Sequence, residues 1–224
     1  MRNRKGQYKI NGNPLFSSGL LFLDDCEGTC TWIMGGTGGD STVSHETTAA
    51  FMGLKGLRLV TRTTTATTGD NVQARRYFPY AKAGPLYFKC LFMMPDTVRT
   101  NNVVFEFDIF NGTRCYTAGI SYDPADGNLH YRNNAGVYTS IAGTVYLPVG
   151  DAWINMEIAI DTEKKQYIGV KCGHNEVSLV GTAFQNYAAG LYHTNKMTLT
   201  IQTASNNPLT VNFDNFYAGT SEHA

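Results

Sequence analysis

The sequence predicts an all-β fold built from two antiparallel sheets. Only 16% of its 224 residues are charged, whereas soluble domains average about 25%. Its 23 glycines, 13 tyrosines and 12 phenylalanines favour turns and strands. Short runs of alternating apolar and polar residues recur with turn residues between them, and no window keeps a helical period. A chain of this length can bury one sizeable core, so we expect a single β-sandwich.

The predicted strands follow one another at short intervals. The turn sequence DPADGN at residues 123–128 predicts a chain reversal, and Asn133, Asn134 and Gly136 predict a hairpin. In the strand that Trp153 opens, alternation turns the isoleucines and Met156 inward. The predicted strands are 20–25, 56–61, 71–78, 86–94, 103–112, 118–122, 129–132, 137–141, 153–161, 166–172, 197–203 and 209–216.

The most informative strand is 103–112, VVFEFDIFNG. Its alternation places Phe105 and Phe107 on one face and Glu106 and Asp108 on the other. A carboxylate is almost never left unpaired in a core. The acidic pair is therefore expected to face a groove or a metal site.

This strand resembles the one that carries the functional residues of the concanavalin A-like lectin and glucanase superfamily. There, legume lectins carry Glu-x-Asp as metal ligands, and laminarinase-like glucanases carry Glu-x-Asp-x-x-Glu as catalytic residues. The last glutamate of that pattern is Asn111 in this chain, and an amide cannot protonate a leaving oxygen. Residues 113–120 also lack the aspartate and histidine of the lectin metal site. We expect no catalysis by Glu106 and Asp108, which are either hydrogen-bonded residues of the sheet or part of a sugar groove.

The expected sugar groove draws on more than one strand. Its candidate lining residues are Glu106, Asp108, Asn111, Trp153 and Glu157. Tyrosine and tryptophan rings suit the apolar face of a pyranose. The aromatic candidates for stacking are Tyr122, Tyr131, Tyr138, Tyr167, Tyr192 and Trp153, although most are expected in the core or on a sheet face.

The segment 151–179 resembles laminin G-like jelly rolls, and the two ends of the domain resemble the paired first and last strands of carbohydrate-binding jelly rolls. That resemblance implies a structural calcium ion held by acidic residues from both ends. The matching candidates are Asp24, Asp25, Glu27 and Asp214, which offer the oxygen ligands that calcium prefers. The alternative is that Asp25 and Asp214 cap turns and bind backbone amides.

Cysteine and histidine positions predict no catalytic or transition-metal site. The cysteines are odd in number, contain no C-x-x-C pair, and are expected to be reduced and buried, with a Cys26–Cys30 bridge as the alternative. The histidines share no ligand spacing, and no nucleophilic triad is visible. The cysteines are Cys26, Cys30, Cys90, Cys115 and Cys172, and the histidines are His45, His130, His174, His193 and His223.

The amino-terminal segment and the charge balance shape the functional expectation. A formal net charge of zero and the absence of a long apolar run predict neither nucleic-acid nor membrane partners. Residues 1–19 form a polar, basic arm without the features of a secretory signal, and residues 220–224 form a short tail after the sandwich at 20–219. The basic residues of the arm are Arg2, Arg4, Lys5 and Lys9.

Together these features predict a concanavalin A-like jelly-roll β-sandwich with an N-terminal docking arm. We expect a non-enzymatic structural protein of the virion surface, most consistent with a phage capsid decoration protein. Its partners would be the major capsid protein or neighbouring subunits, reached through the arm. The principal alternative is a carbohydrate-binding module that uses Glu106 and Asp108, and a weaker one is a laminarinase-like hydrolase in which Glu157 replaces the missing acid.

Overall fold

The computed structural model describes residues 9–10, 13–14, 20–37, 39–62, 68–78, 83–95, 100–110, 112–144, 152–188, 194–204 and 207–220. Over these ranges the chain consists of strands, turns and one short 3-10 segment at Thr47–Ala49. Two short strands, β1 (Lys9–Ile10) and β2 (Asn13–Pro14), pair only with each other. None of the described segments is a helix long and apolar enough to cross a membrane.

Sheet 1 contains the acidic strand at its centre. Its neighbouring strands are antiparallel throughout. In spatial order they are β12 (Tyr138–Thr144), β11 (Asn128–Arg132), β10 (Arg114–Asp123), β9 (Thr100–Phe110), β17 (Asn195–Thr203), β7 (Asn71–Phe78) and β4 (Ile33–Gly36), and β16 (Gln185–Ala188) pairs with the first half of β10.

Sheet 2 brings the two ends of the sandwich together. Its strands in spatial order are β15 (Asn175–Ser178), β14 (Gln166–Cys172), β13 (Ile154–Asp161), β8 (Pro85–Met93), β18 (Leu209–Gly219), β6 (Gly56–Thr61) and β5 (Thr42–Glu46). The first sandwich strand, β3 (Leu20–Asp24), pairs with the end of β18, so that Asp24 lies opposite Phe216. This pairing confirms the predicted contact between the first and last strands.

The core lies between the two sheets and is rich in phenylalanine. Phe107 of sheet 1 stacks on Phe88 of sheet 2 with ring centroids 3.7 Å apart. Phe105 makes edge contacts with Phe92 and Phe213 of the opposite sheet. Burying a phenylalanine side chain stabilises a fold by about 1.5–3 kcal/mol, so these rings hold the sheets face to face.

The structure confirms the all-β sandwich and most of the predicted strands. In β13 the alternate residues Ile154, Met156, Ile158 and Ile160 are buried, as predicted. The strands that the sequence pattern did not predict are β1, β2, β4, β5, β15 and β16. All five cysteines lie in the described part of the chain as free thiols, and all except Cys30 are buried. The predicted domain limits stay predictions, since most of residues 1–19 and the tail after 220 lie outside the described residues.

Candidate functional site

The outer face of sheet 1 carries a polar groove over β9. Phe105 and Phe107 point into the core, so the alternating Glu106 and Asp108 face outward, as predicted. A groove of about 350 Å³ opens above these carboxylates. Its lining residues, here called the Glu106 groove, are Glu106, Asp108, Thr117, Arg132 and Gln185.

Glu106 is held by a guanidinium and a phenol. Arg132 at the end of β11 pairs with the Glu106 carboxylate through its Nη1 group. The same guanidinium donates from Nε to Gln185 Oε1 at 2.7 Å, so it bridges β9 and β16. The Tyr138 hydroxyl of β12 donates to Glu106 Oε1 at 3.0 Å. The planar guanidinium thus fixes the Glu106 carboxylate and the Gln185 amide in one arrangement.

Asp108 is held by residues of the two strands that flank β9. Thr117 of β10 and Lys196 of β17 lie directly opposite it in register. The Thr117 hydroxyl donates to Asp108 Oδ1 at 2.5 Å, and Lys196 Nζ lies 3.0 Å from Asp108 Oδ2. Tyr77 of β7 lies opposite Lys196 in the strand register, and 46% of its surface is exposed. An aromatic ring therefore lies at the end of this row of polar side chains.

The charges of the groove cancel, because Arg132 and Lys196 pair with the two carboxylates. Burial raises the pKa of the Tyr138 phenol, and the Glu106 carboxylate raises it further. Burial lowers the pKa of Arg132, but Glu106 and Tyr138 together raise it above its ordinary value. The phenol is therefore protonated and the guanidinium charged near neutral pH, and both act as hydrogen-bond donors.

A glycine forms the floor beneath these donors. Gly119 of β10 lies opposite Glu106 in register. A Cβ at this position would lie 2.7 Å from the Tyr138 hydroxyl and 3.3 Å from Arg132 Cβ. A side chain at this position would push the phenol aside, so glycine leaves room for Tyr138 to reach Glu106.

The structure does not bring all the predicted groove residues together. Glu157 lies on β13 of sheet 2 and pairs with Lys89 at 3.4 Å, within a separate groove of about 480 Å³. Trp153 precedes the same strand, and its ring lies 5.5 Å from that of Phe51. The prediction of one shared groove is wrong for these two residues, since Glu157 lies in the other sheet and Trp153 directly precedes its strand. Asn111 lies outside the described residues.

Two of the four predicted calcium ligands are held by backbone amides of one loop. Asp214 Oδ2 accepts the N–H groups of Phe51 and Met52 at 2.8 and 3.0 Å. Glu27 Oε1 accepts those of Leu54 and Lys55 at 2.7 and 3.0 Å. Burial raises the pKa of Asp214, the amide donors oppose this, and the charge of Glu27 adds to it. These contacts match the expected alternative, in which carboxylates bind backbone amides.

The remaining two calcium candidates also accept protein donors. Asp25 Oδ1 accepts the Glu27 N–H at 3.3 Å, and Asp24 Oδ2 accepts the Trp32 indole N–H at 2.9 Å. Calcium needs six to eight oxygen ligands. Among the described residues, Asp25, Glu27 and Asp214 do not form a group whose ligand atoms all lie within 4.8 Å of one another. The calcium site stays a prediction.

Several groove residues were not predicted from the sequence as parts of a site. Alternation along β10 and β17 is enough to turn Thr117 and Lys196 outward, but it does not show that they flank Asp108. Arg132 reaches the groove through the successive pairing of β9, β10 and β11, and Gln185 reaches it only because the distant strand β16 pairs with β10. Of the aromatic candidates, Tyr122 and Tyr167 are buried, Tyr131 packs against the core, Tyr138 reaches Glu106, and Tyr192 lies outside the described residues.

Comparison with known proteins gives structural matches only. No protein-family model matches the chain, and no curated protein matches it. A cellulose-induced protein, Cip1, matches with a TM-score of 0.57 at 17% identity, over 89% of this chain and 97% of that one. The globular domain of T. cruzi calreticulin matches with a TM-score of 0.57 at 10% identity, over 90% and 88% of the two chains. A Bacillus licheniformis β-glucanase matches with a TM-score of 0.51 at 11% identity, over 92% and 100%. The chain therefore has the concanavalin A-like jelly-roll fold.

Proposed function

We propose that this protein binds carbohydrate chains at the Glu106 groove without cleaving them. The observation that carries the proposal is the fixed array of donors and acceptors around Glu106 and Asp108. A sugar offers vicinal hydroxyls, each of which donates and accepts. The guanidinium of Arg132 and the amide of Gln185 can serve such hydroxyls together with the two carboxylates.

The exposed ring of Tyr77 supports the same ligand class. Its register with Lys196 places it on the outer face of sheet 1, next to the pair that Lys196 forms with Asp108. A pyranose ring has an apolar face that stacks on tyrosine, while its hydroxyls point sideways to polar groups. A chain lying across the strands can therefore contact Tyr77 and the Glu106 groove in succession.

The cancelled charges favour an uncharged polysaccharide. Arg132 and Lys196 already have carboxylate partners, so an anionic ligand would have to displace Glu106 or Asp108. The similar structures include a β-glucanase, which gives the fold a precedent among proteins that act on sugars. Fold alone does not define function, so the proposal depends on the groove.

The geometry favours binding over hydrolysis. A retaining glycosidase needs two carboxyl groups about 5 Å apart, one of which donates a proton. Glu157, the expected substitute acid, lies on the other sheet and pairs with Lys89. Glu106 is bound by Arg132 and Tyr138, and this holds it as an acceptor. We therefore propose that the protein is not a glycosidase.

Affinity electrophoresis and calorimetry against soluble β-1,3-glucan, β-1,4-glucan and xylan test the proposal. Replacing Arg132→Ala should weaken binding at least tenfold, a loss of about 1.4 kcal/mol. Lys89→Ala is the matched control, because it removes the cation of an ion pair on the opposite sheet. Equal losses in both variants, or no binding of any glucan or xylan by the wild type, would contradict the proposal. Release of reducing ends that disappears in Glu106→Gln would contradict the non-enzymatic part.

The predicted virion role stays a prediction. It depends on the arm at residues 1–19, and Arg2, Arg4 and Lys5 lie outside the described residues. Lys9 lies in β1, whose described pairing is with β2 alone. The groove supports carbohydrate binding whether or not the protein belongs to a particle.

A further inference from the structure

Three side chains of different chemistry meet beside the end of β3. Asp24 is the last residue of β3, Cys26 follows it in the loop, and His45 lies on β5. Their ligand atoms, one carboxylate oxygen, the thiol sulfur and one imidazole nitrogen, all lie within 4.8 Å of one another. These residues lie on the other sheet from the Glu106 groove and play no part in it.

The histidine is oriented as a metal-binding histidine would be. His45 Nδ1 lies 3.0 Å from the Gly28 carbonyl oxygen, which can only accept, so Nδ1 carries the proton. Nε2 is then a free lone pair. It is buried and has no hydrogen-bond partner among the described residues. A ligating histidine commonly donates its other N–H to a carbonyl in this way.

The cysteine is placed beside the carboxylate by its backbone. Cys26 has a left-handed φ of 59° and donates its N–H to Asp24 Oδ1 at 3.0 Å. Its thiol is fully buried. Asp24 Oδ2 accepts the Trp32 indole N–H and lies 3.9 Å from Arg76 Nη1, yet each carboxylate oxygen keeps a further lone pair. The loop therefore turns a sulfur ligand and an oxygen ligand toward His45.

We propose that Asp24, Cys26 and His45 bind a divalent transition-metal ion of the zinc class. A thiolate with an imidazole and a carboxylate is the donor set that zinc prefers, whereas calcium and magnesium prefer oxygen alone. Cys30 is the candidate fourth ligand. It is partly exposed and lies outside the group of three ligand atoms that come within 4.8 Å of one another.

The geometry needs only small adjustments to hold the ion. Zinc–ligand bonds of about 2.0–2.3 Å place tetrahedral ligand atoms roughly 3.3–3.8 Å apart. The three ligand atoms lie at most 4.8 Å apart, so side-chain rotations that move them by about an ångström bring them to this spacing. Binding converts the Cys26 thiol to a thiolate, and the proton goes to solvent. The ion would tie the loop after β3 to β5.

Cobalt titration of the reduced, metal-free protein tests the proposal. Co²⁺ should bind with one-to-one stoichiometry and give a thiolate-to-cobalt charge-transfer band that zinc abolishes and calcium does not. Cys26→Ser should remove the band, and His45→Gln should weaken cobalt binding at least tenfold. Cys115→Ser and His130→Gln are the matched controls and should bind as the wild type does, since His130 belongs to a separate group with Asp123 and Asp126.

A measurement on folded protein keeps the test decisive if Cys26→Ser does not fold. Zinc should raise the melting temperature of the wild type and of His130→Gln, but not that of His45→Gln. Absence of the charge-transfer band in the wild type, or its persistence at equal affinity in His45→Gln, overturns the site. A weaker band at unchanged stoichiometry in Cys30→Ser identifies Cys30 as the fourth ligand, and an unchanged band supports the three-residue site.

Discussion

The Tyr167 hydroxyl of sheet 2 reaches through the core and accepts the Gly119 N–H of sheet 1 at 2.7 Å. The same hydroxyl lies 3.1 Å from the Gly119 carbonyl and 2.9 Å from the Arg132 carbonyl, either of which can accept its proton. Here β10 exchanges one partner strand, β11, for another, β16. The buried Tyr167 phenol thus replaces the strand-to-strand hydrogen bonds that are missing at this point. It also contacts the backbone of Arg132, the residue that binds Glu106.

Removing this hydroxyl should loosen the groove as well as the fold. In Tyr167→Phe the Gly119 N–H and the Arg132 carbonyl lose a buried partner, which costs about 1–3 kcal/mol of unfolding free energy. Because Arg132 is held at this point, we also expect weaker glucan binding by the folded protein. Urea denaturation and calorimetry measure the two effects. Tyr131→Phe, on β11 of sheet 1, is the control and should change both quantities less.

Filling the floor of the groove should reduce both stability and binding. A Cβ in Gly119→Ala would lie 2.7 Å from the Tyr138 hydroxyl, so the phenol must move away from Glu106. We expect the loss of one charge-assisted hydrogen bond, about 1.5–3 kcal/mol at most, and about tenfold weaker glucan binding. Gly39→Ala is the control, since no atom lies within 4 Å of its added Cβ. Unchanged affinity in Gly119→Ala would remove Tyr138 from the site.

The alternation of apolar and polar residues predicted which face of each strand is buried, and most of the predicted fold depended on it. The outward direction of Glu106 and of Glu157 follows from their own strands. Alternation does not show which sheet a strand joins, however, and the two glutamates lie on opposite faces of the sandwich. Their grouping into one groove failed for that reason.

The unpredicted strands lack the residues that mark a strand. β4 reads IMGG and β5 reads TVSHE, so neither shows a long apolar alternation, and both lie at sheet edges where burial is slight. Because β5 was not predicted, the sequence did not identify His45 as a neighbour of Cys26. Gln185 was missed likewise, because β16 becomes a strand only by pairing with β10.

The predicted calcium site and the amide contacts of Asp214 can be separated by one variant. Calcium at 100 times its dissociation constant would add about 2.7 kcal/mol to the unfolding free energy. The calcium-selective chelator EGTA should then lower the melting temperature of the wild type but not that of Asp214→Asn. Equal melting temperatures with calcium and with EGTA would remove the ion, leaving the Phe51 and Met52 amides as the partners of Asp214.

Alkaline pH should destabilise the protein through its buried thiols. Burial raises the pKa of the Cys172 thiol to about 12, whereas an unfolded cysteine titrates near ~8.5. Burial also raises the pKa values of Cys26 and Cys90. Between pH ~8.5 and about 12, the pKa values of Cys172 in the unfolded and folded states, the unfolded chain binds fewer protons than the folded one. Stability is therefore complete below pH ~8.5 and falls as the pH rises, by about 1.4 kcal/mol per unit for each such group.

The contribution of one thiol can be isolated by comparing how steeply the unfolding free energy falls with pH in the wild type and in a variant, rather than by comparing absolute stabilities. Cys172→Ala leaves a small cavity and lowers stability at every pH, but this packing loss does not titrate. Urea denaturation of metal-free protein between pH 8 and 11 should therefore give a shallower decline for the variant, by up to about 1.4 kcal/mol per pH unit. Parallel curves for wild type and variant would show that Cys172 ionises equally in both states. Its burial between the sheets would then not control its protonation.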